Sequence, residues 1–106
     1  MRGGVLRVLS GAGVAAGLAA GGAVADEVAT GRGIAERWCA ACHVVADEQP
    51  SATDMAPAFR TLAADPARSD AWLRGWIADP HPPMPDPGLS RAQIEAVVAY
   101  LASLRP

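Results

Sequence analysis

Cys39, Ala40, Ala41, Cys42 and His43 form the stretch of this chain with the most chemistry per residue. Two thiols three positions apart lie on one side of a helical turn. From there both can reach the vinyl groups on one edge of a porphyrin. His43, next in the chain, then brings its imidazole under the iron. In an exported protein the pattern reads as a covalent haem attachment site. Three other chemistries fit less well. A redox Cys-x-x-Cys pair follows a strand and opens a helix, whereas this pair closes a helical stretch with no βαβ pattern near it. Zinc needs four ligands. Cys39, Cys42, His43 and His81 supply four by count, but adjacent side chains seldom converge on one small ion. A plain disulfide between Cys39 and Cys42 would leave His43 incidental.

A haem iron held by His43 has a second face, and three side chains are candidates for it: Met84, Met55 and His81. A thioether is a soft, neutral ligand that favours ferrous iron and raises the reduction potential. Met84 stands among Pro80, Pro82, Pro83, Pro85 and Pro87. Prolines fix φ and lower the entropy of the unfolded loop, so such a segment holds one side chain in place without regular structure. Met55 lies in a looser loop nearer the attachment residues.

These residues need elements to position them. Residues 28–39 predict a first helix, with Ile34 and Trp38 four apart on one face. Gly31 and Gly33 are poor helix formers there, which suggests that another element packs closely. Residues 44–58, with Pro50, Ser51, Thr53, Asp54 and Pro57, predict a loop. Phe59, Leu62 and Ala63 predict one or two helical turns over residues 59–64. Ser69 and Asp70 can cap a third helix through Trp72, Leu73, Trp76 and Ile77, ended by Asp79-Pro80. Ser90, with Gln93 three residues on, opens a capping box. Ile94, Val97, Val98, Leu101 and Leu104 then continue an amphipathic stripe. No strand pattern or internal repeat is visible, so the expected fold is all-α, with three to four helices packed around one haem.

The first 25 residues resemble a secretory leader. Arg2 and Arg7 make a basic front, an uncharged Ala, Gly, Val and Leu stretch follows, and Ala23-Val24-Ala25 offers small residues for cleavage before Asp26. The alternative is a retained membrane anchor. Cleavage after Ala25 leaves a single domain over residues 26–106, 81 residues long. A core that small is usually stapled by a metal or disulfides, and a covalent haem would be the staple. The chain has nine basic residues, all arginine, against eleven acids. Losing Arg2 and Arg7 leaves seven against eleven, a net charge of −4. Nucleic acid is an unsuitable partner for such a chain, and so is an anionic membrane surface.

With Cys39-Ala40-Ala41-Cys42-His43, Pro57 and Met84 in order, residues 26–106 resemble a small bacterial class I cytochrome c, a family with one haem per chain. Gly31, eight residues before Cys39, stands where the family has a glycine at the crossing of its first and last helices. Val97-Val98-Ala99-Tyr100-Leu101 is similar to the last-helix motif, with Tyr100 as its aromatic. The resemblance implies that the Pro57 carbonyl accepts the second ring N–H of His43, fixing its tautomer. It also implies that Phe59 packs on the haem, and that His81-Pro82-Pro83-Met84-Pro85 is the methionine loop. A haem propionate would have to be hydrogen-bonded or exposed, with Trp72, Trp76, Arg60 and Arg74 as possible donors. One departure is the absence of lysine. Docking by a lysine ring is replaced in expectation by a more apolar or arginine-based contact with weak salt dependence.

The function expected is a periplasmic one-electron carrier, not an enzyme, with His43 and Met84 on the iron. Its partners would be a redox donor and a redox acceptor, with no small-molecule substrate. Alternatives are a haem-bearing acceptor subunit of a periplasmic dehydrogenase, or a ligand-binding haem sensor with Met84 off the iron.

Overall fold

The computed structural model describes residues 3–4, 11, 16–49 and 55–106. Pro50, Ser51, Thr53 and Asp54 of the expected loop, and most of the first fifteen residues of the expected leader, lie outside the described residues. The described residues form four helices and no strand: α1 (Ala16–Trp38), α2 (Phe59–Ala64), α3 (Asp70–Ala78) and α4 (Arg91–Ser103). The all-α expectation holds.

Helix α4 is the hub, and α1, α2 and α3 each pack against it. Ser90 starts it with a complete capping box. The Ser90 hydroxyl accepts from the Gln93 N–H at 3.2 Å, and the Ser90 N–H donates to Gln93 Oε1 at 2.8 Å. Ile94, Val97, Val98 and Leu101 are buried as the stripe predicts, and Leu104 packs partly against them. Ala96 and Tyr100 are buried too, so α4 is covered on more than one face.

The first helix is longer than residues 28–39. It begins at Ala16, inside the expected leader, because that stretch is rich in alanine and contains no proline to stop it. Residues 21–27 are exposed, and from there on the core-facing positions of α1 are Val28, Gly31, Ile34 and Ala35. Trp38 does not share the burial of Ile34. It is 55% exposed, with the Arg37 guanidinium 5.3 Å from its ring centroid. At this end of the helix Cys39 and Ala40 make the contact with the core instead.

Gly31 is where α1 meets α4. A Cβ there would collide with the carbonyl carbon and oxygen of Ala96 and would lie 3.0 Å from Tyr100 Cβ. Gly33, by contrast, has nothing within 4 Å of such an atom.

Helix α2 matches residues 59–64 and buries Phe59 and Ala63. Ser69 caps α3, its hydroxyl accepting from the Trp72 N–H at 3.1 Å. Asp70 then sits in the first turn, where a carboxylate suits the helix dipole. The broad apolar stripe of α3 is split. Leu73 and Ile77 are in the core, whereas Trp72 is exposed and Trp76 is half-buried. The helix is short, and its core-facing side is filled by one i,i+4 pair.

Candidate haem-attachment site

The attachment residues sit in the turn that closes α1. The Cys39 and Ala40 N–H groups both return to the Ala35 carbonyl, at 2.9 and 3.1 Å. The Cys42 and His43 N–H groups then return to the Cys39 carbonyl, at 3.2 and 2.9 Å. This turn places two free, half-buried thiols and the imidazole within five residues. Burial pushes the Cys39 thiol up to about 11. It is therefore protonated near neutrality, unlike the low-pKa thiolate of a redox Cys-x-x-Cys pair. Among the described residues no three of His, Cys, Asp and Glu gather where they could hold a metal ion, which the zinc alternative would need.

His43 Nδ1 lies 2.5 Å from the Pro57 carbonyl oxygen. A carbonyl only accepts, so Nδ1 carries the proton and Nε2 keeps its lone pair. The contact spans fourteen residues and pins the loop of Pro57 against the attachment turn. The Phe59 N–H donates to the Val44 carbonyl at 2.9 Å, fixing the start of α2 next to His43. The Phe59 ring is buried and meets the His43 ring edge-on, centroids 5.4 Å apart. On its other neighbour, Tyr100, the rings are 6.3 Å apart. The Tyr100 hydroxyl donates to the Val45 carbonyl at 2.5 Å, so α4 also grips this loop. Burial raises the Tyr100 phenol above its ordinary value.

Gln49 is a site residue that the sequence did not disclose. Its carboxamide accepts from the Val45 N–H at 2.8 Å and donates to the Ala40 and His43 carbonyls at 3.2 Å each. One side chain thus closes the loop around the attachment residues. A lone glutamine in a loop carries no sequence pattern that would announce this.

The methionine loop runs from α3 to α4 without regular structure. The Met84 N–H donates to the His81 carbonyl at 3.1 Å, and Gly88, at φ 67°, completes the turn into α4. Met84 is half-buried, and its sulfur accepts from Trp76 Nε1 at 3.2 Å. Met55 is 77% exposed. His81 is exposed and rests its ring edge against Trp76 at 5.1 Å. Of the expected propionate donors, Arg60 is paired with Asp47 at 2.7 Å and Arg74 with both carboxylate oxygens of Glu95. The single N–H of Trp76 is committed to Met84.

This donor set suits a covalently held haem. Two free thiols stand at the right spacing, an imidazole is held by one nitrogen with the other available, and a half-buried thioether is fixed in a proline-rich loop.

Comparison with known proteins agrees with the geometry. The cytochrome c family profile, "Cytochrome c", matches residues 28–105. The chain is 43% identical over 84 residues to cytochrome c-552 of Bradyrhizobium diazoefficiens, covering 79% of this chain and 81% of that protein. No solved structure matches the chain.

Proposed function

The chain belongs to the cytochrome c family, and we propose that it is a one-electron carrier of the bacterial periplasm with His43 and Met84 as the two axial ligands of its iron. The family consists of electron carriers rather than enzymes, and the Cys39 and Cys42 pair implies covalent haem c. When bound, the haem supplies the ferric–ferrous couple. The chain's own residues supply its setting. The Pro57 carbonyl orients the His43 ring and increases the basicity of Nε2, the nitrogen offered to the iron. Met84 offers sulfur from the loop between α3 and α4. Filling both axial positions leaves no place on the iron for a substrate.

The observation that carries this reading is the His43 Nδ1 bond to Pro57, which leaves Nε2 as the ligating nitrogen beside two free thiols. Met84 is favoured over Met55 by its burial and its fixed sulfur. Export and cleavage after Ala25 are supported by α1 itself. From residue 21 on, its core contacts begin at Val28, so cleavage after Ala25 leaves Val28, Gly31, Ile34 and Ala35 in the domain. No helix among the described residues is long and apolar enough to cross a membrane. Redox proteins are the partners. Arg32, Arg60, Arg68, Arg74 and Arg105 are all ion-paired with carboxylates. That pairing supports docking with weak salt dependence rather than through a cationic ring.

The test is the exported protein made with a working maturation system. Its mass should equal residues 26–106 plus one haem. Its ferric spectrum should show the weak near-infrared sulfur-to-iron band, and its ferrous form should not bind carbon monoxide at neutral pH. Ready carbon monoxide binding with no such band would refute ligation by Met84. Isolation from the native host as a lone small protein supports a free carrier, and co-purification with a dehydrogenase makes it a subunit instead.

A further inference from the structure

The last carbonyls of a helix have no partner within it and must find one elsewhere. In the turn that closes α1, the Cys39 carbonyl has the N–H groups of Cys42 and His43. The Ala40 and His43 carbonyls, which bracket Cys42, both accept from Gln49 Nε2 instead, at 3.2 Å each. Gln49 is brought back to them by a turn of its own, its N–H donating to the Ala46 carbonyl at 3.2 Å. Its amide oxygen accepts from the Val45 N–H at 2.8 Å, and the Val45 carbonyl accepts from the Tyr100 hydroxyl at 2.5 Å. One half-buried carboxamide thus ties residues 40, 43 and 45 together, and Tyr100 ties that set to α4. His43 is consequently fixed twice, its ring by the Pro57 carbonyl and its main chain by Gln49.

We propose that Gln49 is a positioning residue for His43: by holding the His43 main chain it keeps Nδ1 on the Pro57 carbonyl and so tunes Nε2 toward the iron. The inference rests on the reading of His43 as an axial ligand. The imidazole hangs from the main chain by two rotatable bonds, so a displacement of the main chain moves Nδ1. Pro57 is placed by a different element, the start of α2, where Phe59 is buried two residues on. An attachment turn released by Gln49 therefore shifts relative to Pro57, and the Nδ1 bond lengthens. A weaker bond at Nδ1 makes Nε2 less basic. A less basic imidazole stabilises ferric iron less, so Gln49 favours the oxidised form. The carboxamide is neutral and does this without adding a charge to the site. Both effects belong to its two N–H donors and not to its bulk.

The experiment compares the wild-type holoprotein with three variants. Gln49→Leu removes every hydrogen bond of the side chain, Gln49→Glu keeps an acceptor for Val45 but loses both donors, and Ser90→Ala lowers stability at the distant start of α4. Midpoint potential and exchange of the His43 Nδ1 proton in the ferrous state, followed by NMR, are read for each. In Gln49→Leu the ferric-to-ferrous ratio at fixed potential should fall about 2- to 5-fold, within the range of one weakened hydrogen bond. The Nδ1 proton should exchange at least about threefold faster in both Gln49 variants. Ser90→Ala should keep the wild-type potential and exchange rate, which separates positioning from a general loss of stability. Wild-type potential and exchange in Gln49→Leu, with the haem attached and the ferric spectrum low-spin, overturn the inference while leaving His43 on the iron. Wild-type Nδ1 exchange in Gln49→Glu alone also overturns it, because the donors would then not be the cause. Absence of one haem from the wild-type mass removes the ligand reading and this inference with it. If neither Gln49 variant yields a folded holoprotein, the carboxamide protons of Gln49 in the ferrous wild type decide. Exchange slowed at least about tenfold relative to free glutamine supports the positioning contact, and exchange at the free rate overturns it.

Discussion

Replacing Gly31 by alanine tests the packing on which the attachment site depends. The substitution has two opposed effects. Alanine is the better helix former, which favours the variant by about 1 kcal/mol in a helix interior. The new Cβ, however, meets the carbonyl carbon and oxygen of Ala96 and approaches Tyr100 Cβ at 3.0 Å. Main-chain atoms cannot rotate away as a side chain can, so α1 and α4 must move apart. Ala96 and Tyr100 are 3% and 4% exposed, which leaves no slack at the crossing. Overpacking a core by one methyl costs about 1–3 kcal/mol, and a clash with main chain belongs at or above the top of that range. The net expectation is a loss of about 2 kcal/mol or more, equivalent to a fall of about 10 °C in the melting temperature of a domain this size. Gly33→Ala is the internal control. It has the same helix-propensity gain and no obstacle within 4 Å, so it should be stabilising by about 0.5–1 kcal/mol. Thermal and denaturant unfolding of the two holoproteins, followed by far-ultraviolet circular dichroism, give the comparison. Because the obstacle is the carbonyl group, adding Ala96→Gly should not rescue Gly31→Ala. The reasoning is refuted if Gly31→Ala is as stable as Gly33→Ala, or if shortening residue 96 restores it.

Three further outcomes follow from single contacts. Tyr100→Phe should cost about 1–3 kcal/mol, because the Val45 carbonyl loses its hydroxyl partner in a buried setting. Since burial raises the folded-state pKa of this phenol, its stabilisation is complete below the ordinary tyrosine range and is lost as pH rises through the folded value. Alkaline unfolding should accordingly be steeper in the wild type than in Tyr100→Phe. Ser90→Ala should lower stability by about 1 kcal/mol in denaturant titrations, with no change in the visible spectrum. Gln49→Ala should cost about 2 kcal/mol and speed exchange of the Val45 amide proton, while Glu48→Ala, whose carboxylate pairs with exposed Arg32, should leave that amide unchanged.

The parts of this fold that could be read from the chain are those governed by neighbours in sequence. The caps of α3 and α4 each involve residues three apart, and the stripe from Ile94 to Leu101 follows the helical period. Local rules settle both, and the structure has both. Gly31 needed more than a local rule. Two glycines stood two residues apart in a helix, and nothing in their spacing distinguished the one under α4 from the one in open space. The pairing of Gly31 with Tyr100 entered through likeness to a family. The start of α1 was missed for a different reason. Alanine-rich sequence is equally suited to a leader and to a helix, and in this chain α1 runs through it from Ala16.

The two contacts least visible in the sequence, Gln49 to the attachment turn and Trp76 to Met84, share a cause. Each joins a side chain to a loop whose path depends on the packing of the helices on either side of it. Gln49 reaches back nine residues to Ala40, and Trp76 reaches forward eight to Met84. Neither spacing belongs to a helix or a strand, so no periodicity marks it. A tryptophan on an apolar stripe also has core packing as its default reading. What separates Trp76 from that default is the direction of one N–H, and direction exists only once α3 and the proline-rich loop are placed. Residues that ligate are therefore easier to find in a sequence than residues that orient the ligands. The ligand types are chemically few, whereas almost any polar side chain can serve to hold one of them in place.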